Sequence, residues 1–178
     1  MIKRIPNVNF QVRVRDDSIE GDNPFKWETK STDDYFSNKK VILFSLPGAF
    51  TPTCSTFQLP DFNKLYDDFK KYGIDEIYCI SVNDSFVMNA WAKHHDIGKV
   101  KVIPDGNAEF TRKMGMLVDK ENLGFGQRSW RYALIIDNGN ILENFVESGF
   151  TDNAEDDPYE VSSPQNILDY LSKNNQMT

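Results

Sequence analysis

Short apolar runs, separated by polar and amphipathic segments, dominate the pattern of this chain. An alternation of polar and apolar residues over 9–14 predicts a half-buried first strand, and Trp27 is assigned to a second short strand. Two almost purely apolar runs predict buried strands over residues 40–46 and 77–82, and residues 99–104 are a third strand candidate. Runs of this kind are typical of central strands that are covered on both faces.

The segment after the first buried run has the spacing of an amphipathic helix. Its apolar residues at helical intervals are Phe57, Phe62, Leu65, Tyr66 and Phe69. Gly73 is a favourable end for this helix. Because proline lacks a backbone N–H, we expect Pro60 to kink the helix.

Later segments predict further helices and a hairpin. One helix begins at residues 83–85, with an apolar face formed by Phe86, Val87, Ala90 and Trp91. Shorter helices are predicted over 109–114 and 163–172. Two apolar runs flank Asn138-Gly139, a dipeptide that favours a tight hairpin turn. This order predicts an α/β fold with a mixed central sheet flanked by helices, and a thioredoxin-like fold is the simplest match.

Composition and charge restrict the possible partners. A length of 178 residues favours a single domain over residues 1–178. The formal net charge of −7 argues against nucleic-acid and membrane-surface binding, since both need a basic face. No apolar run approaches the roughly 20 residues of a membrane span, and the first residues show no secretory signal. With two cysteines and no such signal, we expect a reducing, cytoplasmic location.

Cys54 has the sequence context of a reactive thiol. It follows a buried run and a turn, and Thr51 and Pro52 are suited to the N-cap and first position of a helix. Backbone N–H groups in a first helical turn lack intrahelical partners, and the helix dipole there is positive, so both favour a thiolate. An ordinary cysteine, with a pKa of about 8.5, is mostly protonated at neutral pH. The alternative for Cys54 is a small buried hydrophobe, which is the commoner fate of an unpaired cysteine.

Four ordered blocks of the sequence resemble the type II (fifth) subfamily of peroxiredoxins. They cover residues 47–60, 81–91, 104–111 and 124–132. The first block contains the family's active-site pattern, Pro47-x-x-x-Thr51-x-x-Cys54. Within the subfamily the blocks are similar to the peroxiredoxin part of bacterial peroxiredoxin–glutaredoxin hybrids. This chain ends at Thr178 without a glutaredoxin domain, so we expect any glutaredoxin to act in trans.

The resemblance implies a thiol peroxidase and a role for each matched residue. Cys54 would be the peroxidatic cysteine, which attacks the peroxide O–O bond and becomes a sulfenic acid. Thr51 would hold the thiolate and the peroxide, Arg131 would stabilise charge on the leaving oxygen, and Pro47 would shield the sulfur from water. Arg128 is a candidate for orienting polar groups nearby. Without the motif, Arg131 at a strand start would be interpreted as a surface ion-pair partner.

The resemblance also implies substrates and an assembly. Hydrogen peroxide and small alkyl hydroperoxides are the expected substrates, because apolar residues near the site (Leu46, Phe50 and Leu123) would tolerate an organic tail. No cofactor is expected, since sulfur carries the chemistry, and a homodimer that covers the active-site loops is implied. Gln58 stands where many relatives have His. Because glutamine cannot titrate, any role for a histidine there is in doubt.

Cys79 leaves two interpretations open. Plant-type relatives have a second cysteine at the matching position, where the resemblance suggests a resolving cysteine in an enzyme recycled by thioredoxin. The other interpretation is a core residue of a buried strand. A side chain at the centre of a strand reaches a helix start only by local unfolding, unless the two already abut. We favour the core interpretation, in which glutathione and glutaredoxin recycle Cys54.

The sequence agrees less well with other function classes and with a metal site. A thioredoxin-like disulfide reductase needs Cys-x-x-Cys, but Thr51 occupies the first position of that spacing. A binding or chaperone module would use the fold without Cys54 chemistry. His94 and His95 lack the spacing of metal ligands, so no metal site is expected. The acidic loop over 151–162 is expected to be solvated, and the core is expected to include Phe62, Phe69, Phe86 and Trp91.

Overall fold

The computed structural model describes residues 1–53 and 57–174. The strands are β1 (Asn9–Arg15), β2 (Phe25–Ser31), β3 (Lys40–Ser45), β4 (Glu76–Ser81), β5 (Lys101–Pro104), β6 (Leu117–Asp119), β7 (Gln127–Ser129), β8 (Tyr132–Asp137) and β9 (Asn140–Val146). The helices are α1 (Thr32–Phe36), α2 (Leu59–Lys64), α3 (Tyr66–Lys70), α4 (Ser85–His94), α5 (Glu109–Lys113) and α6 (Pro164–Asn174).

A mixed five-stranded sheet in the order β5-β4-β3-β8-β9 forms the centre of the fold. Strand β4 pairs in parallel with β3 and β5, whereas β8 pairs antiparallel with β3 and β9. The β8–β9 turn has both Asn138 (φ 48°) and Gly139 (φ 81°) in the left-handed region, as a tight hairpin turn requires. The predicted α/β fold with a mixed sheet, the buried strands and the hairpin are therefore confirmed.

The central sheet is covered on both faces. Because successive strand residues point to opposite sides, Ile42 and Phe44 enter one apolar cluster and Val41 and Leu43 enter the other. The first cluster is completed by buried residues of the helices α2, α3, α4 and α6, namely Phe62, Phe69, Met88, Trp91, Ile167 and Leu171. The second is completed by residues of the N-terminal segment, α1 and α5. The almost purely apolar sequence of β3 follows from this double burial.

Some helix details differ from the expectations. Pro60 lies in the first turn of α2, where its missing N–H disturbs no bond within that helix, and the interruption lies at Leu65 (φ −93°, ψ 7°). Phe62, Phe69 and Trp91 are buried as expected, but placing Phe86 in the core was wrong because it is 59% exposed. Helix α4 instead buries Ser85, Met88 and Trp91.

Three short elements were not predicted. The strands β6 and β7 form a two-stranded sheet of their own, and α1 carries a capping box at Ser31 and Asp34. Within residues 1–53 and 57–174, no helix is both long and apolar enough to cross a membrane.

We expect Phe62→Ala to lower the free energy of unfolding by about 3–5 kcal/mol, because it leaves a cavity in the core. Phe62 is fully buried and its ring stacks on Phe44 with 4.0 Å between centroids. Phe57→Ala is the matched control, since Phe57 is 54% exposed. Urea unfolding measures both changes, and equal losses in the two variants would contradict this packing.

Candidate active site

The register of the sheet brings two loops together at one end of its strands. Ser45, the last residue of β3, pairs antiparallel with Tyr132, the first residue of β8. The chain that leaves β3 and the chain that enters β8 therefore meet, although they are far apart in sequence. Strand β4 runs parallel to β3, so residues that follow β4 lie at the same end of the sheet.

The loop after β3 is held by its neighbours. The side-chain oxygen of Asn83, just after β4, accepts hydrogen bonds from the Ala49 backbone N–H (3.0 Å) and the Ser81 hydroxyl (2.6 Å). Pro47 and Gly48 are buried. Phe50, one residue beyond Ala49, is a non-glycine residue in the left-handed region (φ 62°). Such strained backbone is uncommon and concentrates at functional sites.

Thr51 ends this loop, and its hydroxyl donates a hydrogen bond to the Gly48 carbonyl oxygen (2.7 Å). The next two residues, Pro52 and Thr53, are helical, so the predicted helix start is confirmed. Cys54 lies outside the described residues, and its assignment as the reactive thiol stays a prediction. Phe57 and Gln58 are in the wider π-helical form, which is frequent at functional sites.

Arg128 connects the β7 strand with the loop after β3. Its Nη1 donates to the Pro47 carbonyl oxygen (3.2 Å), and its Nε donates to the Phe125 carbonyl oxygen (3.1 Å). The guanidinium also lies over the Phe125 ring, 5.3 Å from the centroid. Any side chain at Gly48 would overlap Arg128, because a Cβ built there meets Nη1 first. Arg128 thus shapes the loop that carries Pro47.

Arg131 lies just before β8 and is 1% exposed, so interpreting it as a surface ion-pair partner is wrong. Its Nη1 donates to Gln58 Oε1, and its Nη2 donates to both carboxylate oxygens of Asp157 (2.7 and 2.9 Å). The Tyr159 ring lies 5.7 Å from the guanidinium carbon. Burial, aided by the Asp61 carboxylate, raises the pKa of the Tyr159 phenol, so this ring stays neutral beside the arginine.

Comparisons with known proteins agree with this geometry. The sequence profile of the Redoxin family matches residues 22–160. A peroxiredoxin of Rhizobium etli is 68% identical over 171 residues, which cover 96% of each chain. The chain belongs to the peroxiredoxin family. The hybrid peroxiredoxin hyPrx5 of Haemophilus influenzae is 49% identical over 175 residues, covering 98% of this chain and 67% of its own.

Solved peroxiredoxin structures share the fold. The crystal structure of a Plasmodium falciparum antioxidant protein, described as a 1-Cys peroxiredoxin, has a TM-score of 0.89 at 42% identity, covering 96% of this chain and 98% of its own. Together with the relatives, it confirms the resemblance to the type II subfamily and the thioredoxin-like fold. As a peroxiredoxin, the chain is a thiol peroxidase.

The candidate residues do not all meet in this peroxiredoxin. Pro47 and Thr51 lie in the loop after β3, Arg128 in β7 donates a hydrogen bond to that loop, and Arg131 lies just before β8, next to the end of β3. Cys79 is a residue of the sheet itself: it is fully buried in β4 and pairs with Phe44 on one side and Val102 on the other. Within the described part of the chain, no group of three or more His, Cys, Asp or Glu side chains is placed to hold a metal.

Two expectations about the surroundings of the site need correction. Leu46 is fully buried in the apolar core and offers no surface to an organic tail, while Phe50 and Leu123 are exposed. The acidic loop is exposed over much of its length, but its Asp157 pairs with a buried arginine instead of being only solvated.

Asn83 and Asp157 were not predicted from the sequence as parts of the site. Asn83 belongs to a block that carries the family resemblance, and this could have marked it. Asp157 had no signal, because it lies 26 positions from its partner in a loop without regular structure. Gln58 was noted in the sequence because it stands where many relatives have a histidine, which can titrate. The structure shows that Gln58 is fully buried and accepts a hydrogen bond from Arg131.

We expect Gly48→Ala to destabilise the peroxiredoxin by about 1 kcal/mol, because the new methyl group displaces the Arg128 guanidinium from its hydrogen bond to the Pro47 carbonyl oxygen. In an Arg128→Ala background the same change should cost much less, since the overlapping atoms are gone. Urea unfolding of the four proteins gives the coupling energy of this cycle. Additive changes would show that Arg128 does not restrict position 48.

Proposed function

We propose that this peroxiredoxin reduces hydrogen peroxide and small alkyl hydroperoxides through Cys54 and is recycled by glutathione and glutaredoxin. The observation that carries the proposal is the burial of the Arg131 guanidinium, which donates a hydrogen bond to Gln58. Gln58 lies four residues after Cys54 in the sequence. A guanidinium shielded from water interacts more strongly with an anion than an exposed one does. Phe50 and Leu123 supply the exposed apolar surface for a small organic tail.

The proposed first step consumes the peroxide. The Cys54 thiolate attacks one peroxide oxygen, the O–O bond breaks, and the S–O bond of a sulfenic acid forms. The other oxygen leaves with the electron pair and takes a proton to become water or an alcohol. Arg131 would stabilise the negative charge on this oxygen, and the Thr51 hydroxyl would orient the reacting atoms.

The proposed recycling uses two thiols. The thiolate of glutathione attacks the sulfenic sulfur, hydroxide leaves and becomes water on protonation, and a mixed disulfide forms. The glutaredoxin thiolate then attacks the glutathione sulfur and releases the Cys54 thiolate. The complete burial of Cys79 within the sheet supports this route, because a resolving thiol must reach the oxidised sulfur.

We also propose a cytoplasmic homodimer. Large exposed apolar side chains support an interface near the active-site loops, since Phe50, Phe57, Phe86 and Leu123 are each more than half exposed. The small number of cysteines supports a reducing compartment, in which glutathione is available.

We expect Cys54→Ser to abolish the rapid peroxide reaction, and Arg131→Lys to slow it about a hundredfold, because lysine cannot reproduce the planar fork of donors. Stopped-flow measurement of peroxide consumption by the reduced protein tests both changes. Arg15→Lys is the matched control, since Arg15 lies in an exposed ion pair with Asp17. Comparable rates for wild type and Cys54→Ser would end the proposal.

We expect the enzyme treated with one equivalent of peroxide and then glutathione to carry one glutathionyl group on Cys54, as sulfenic acids condense with thiols. Cys79→Ser should give the same product at the same rate, because Cys79 is buried. Mass spectrometry of the intact protein and its peptides identifies the adduct. A Cys54–Cys79 disulfide would instead support the two-cysteine route recycled by thioredoxin.

A further inference from the structure

The guanidinium of Arg131 is held by a carboxylate from a distant part of the chain. Its Nη2 donates to both oxygens of Asp157, and the arginine side chain is 1% exposed, whereas that of Asp157 is 44% exposed. A charge removed from water needs a paired and hydrogen-bonded partner. With Nη1 on Gln58 and Nη2 on Asp157, both ends of the planar guanidinium are fixed.

Asp157 lies in a segment without helix or strand, between β9 and α6. The carboxylate of Glu147, which is 3% exposed, anchors this segment. It accepts hydrogen bonds from the backbone N–H groups of Glu160 (3.0 and 3.1 Å), Val161 (3.2 Å) and Ser162 (2.8 Å), and from the Ser162 hydroxyl (2.5 Å). Bonds to an ionised acceptor are stronger than those between neutral groups, so this anchor fixes irregular backbone firmly.

Glu147 is also joined to the chain next to Arg131. Its backbone N–H donates to the Arg131 carbonyl oxygen (3.2 Å), and its own carbonyl oxygen accepts from Trp130 Nε1 (2.8 Å). One residue therefore links the main chain of Arg131 to the segment that carries the partner of its side chain. The Tyr159 ring beside the guanidinium belongs to the same segment.

We propose that Asp157 and Glu147 are positioning residues for the peroxide reaction: Asp157 orients the Arg131 guanidinium directly, and Glu147 acts through the segment that carries Asp157. The proposal rests on the proposed role of Arg131 towards the leaving oxygen. Donors that are fixed before the reaction need no reorganisation as charge develops, which is why their orientation affects the rate.

The orienting role can be separated from the effect of charge. Asp157→Asn removes a negative charge near Arg131 and leaves a weaker acceptor. Losing a nearby negative charge does not disfavour the Cys54 thiolate relative to the thiol, so the variant should form the thiolate at least as readily as wild type does. Losing the orientation of the Arg131 guanidinium, in contrast, slows the reaction with peroxide. The expected signature is therefore a slower peroxide reaction without slower alkylation of Cys54.

We expect Asp157→Asn to reduce the second-order rate constant with hydrogen peroxide about tenfold or more, as small displacements of catalytic groups do. Alkylation by iodoacetamide across a pH series should stay within about twofold of wild type, with no rise in the thiol pKa. Alkylation of the native protein reports Cys54, because Cys79 is buried. Asp156→Asn is the matched control, since it removes an exposed carboxylate one position away and leaves the ion pair of Asp157 with Arg131 intact.

Glu147→Gln tests the indirect part of the proposal. Its amide would turn an N–H group towards backbone N–H donors, so the segment should loosen and the peroxide reaction should slow by a similar factor. The double variant should be little slower than either single variant, because both act on the same guanidinium. If Glu147→Gln does not fold, Asp157→Asn decides the proposal.

A wild-type peroxide rate in Asp157→Asn would overturn the proposal, and so would equal losses of peroxide reaction and alkylation, which indicate general disturbance of the site. The Arg131→Lys variant separates this failure from failure of the proposed function. If that variant reacts slowly while Asp157→Asn is normal, Arg131 acts without the help of Asp157. If Arg131→Lys retains the wild-type rate, the role of Arg131 itself is wrong.

Discussion

The burial of one positive charge organises the site of this peroxiredoxin. Arg131 carries its guanidinium into the protein, where the lost hydration must be replaced by hydrogen bonds and an opposite charge. Gln58, Asp157 and Tyr159 meet this requirement from two other regions of the chain. The same contacts that make the burial tolerable also fix the plane of the guanidinium, so stability and orientation have one physical origin.

The central sheet decides which segments can take part. The antiparallel pairing of Ser45 with Tyr132 brings the Pro47 loop next to Arg128 and Arg131. The same sheet buries Cys79 in the middle of β4, between two paired strands. The same framework thus sets the positions of the loop residues and the burial of the second cysteine. This burial supports the proposed recycling by an external thiol.

Much of the fold was predictable because local patterns dictated it. Apolar runs identified the buried strands β3 and β4, and Asn138-Gly139 identified the hairpin, whose turn needs two left-handed residues. The core prediction for Phe86 was wrong, because helical spacing does not reveal which apolar residue a neighbouring element leaves uncovered. The Phe86 ring packs against Trp27 and Arg13 at the surface. The short strands β6 and β7 had too few residues to produce a periodic signal.

By itself the sequence determined the fold class, the helix start at Pro52, and the family with its active-site motif, since these depend on neighbouring residues and ordered blocks. Only the tertiary structure decided that Arg131 is buried, that Gln58 accepts its hydrogen bond, and that Asp157 and Glu147 support it. The physical reason is distance along the chain. These contacts join residues that are brought together only by the folded sheet and an irregular segment. A local sequence pattern therefore cannot predict them.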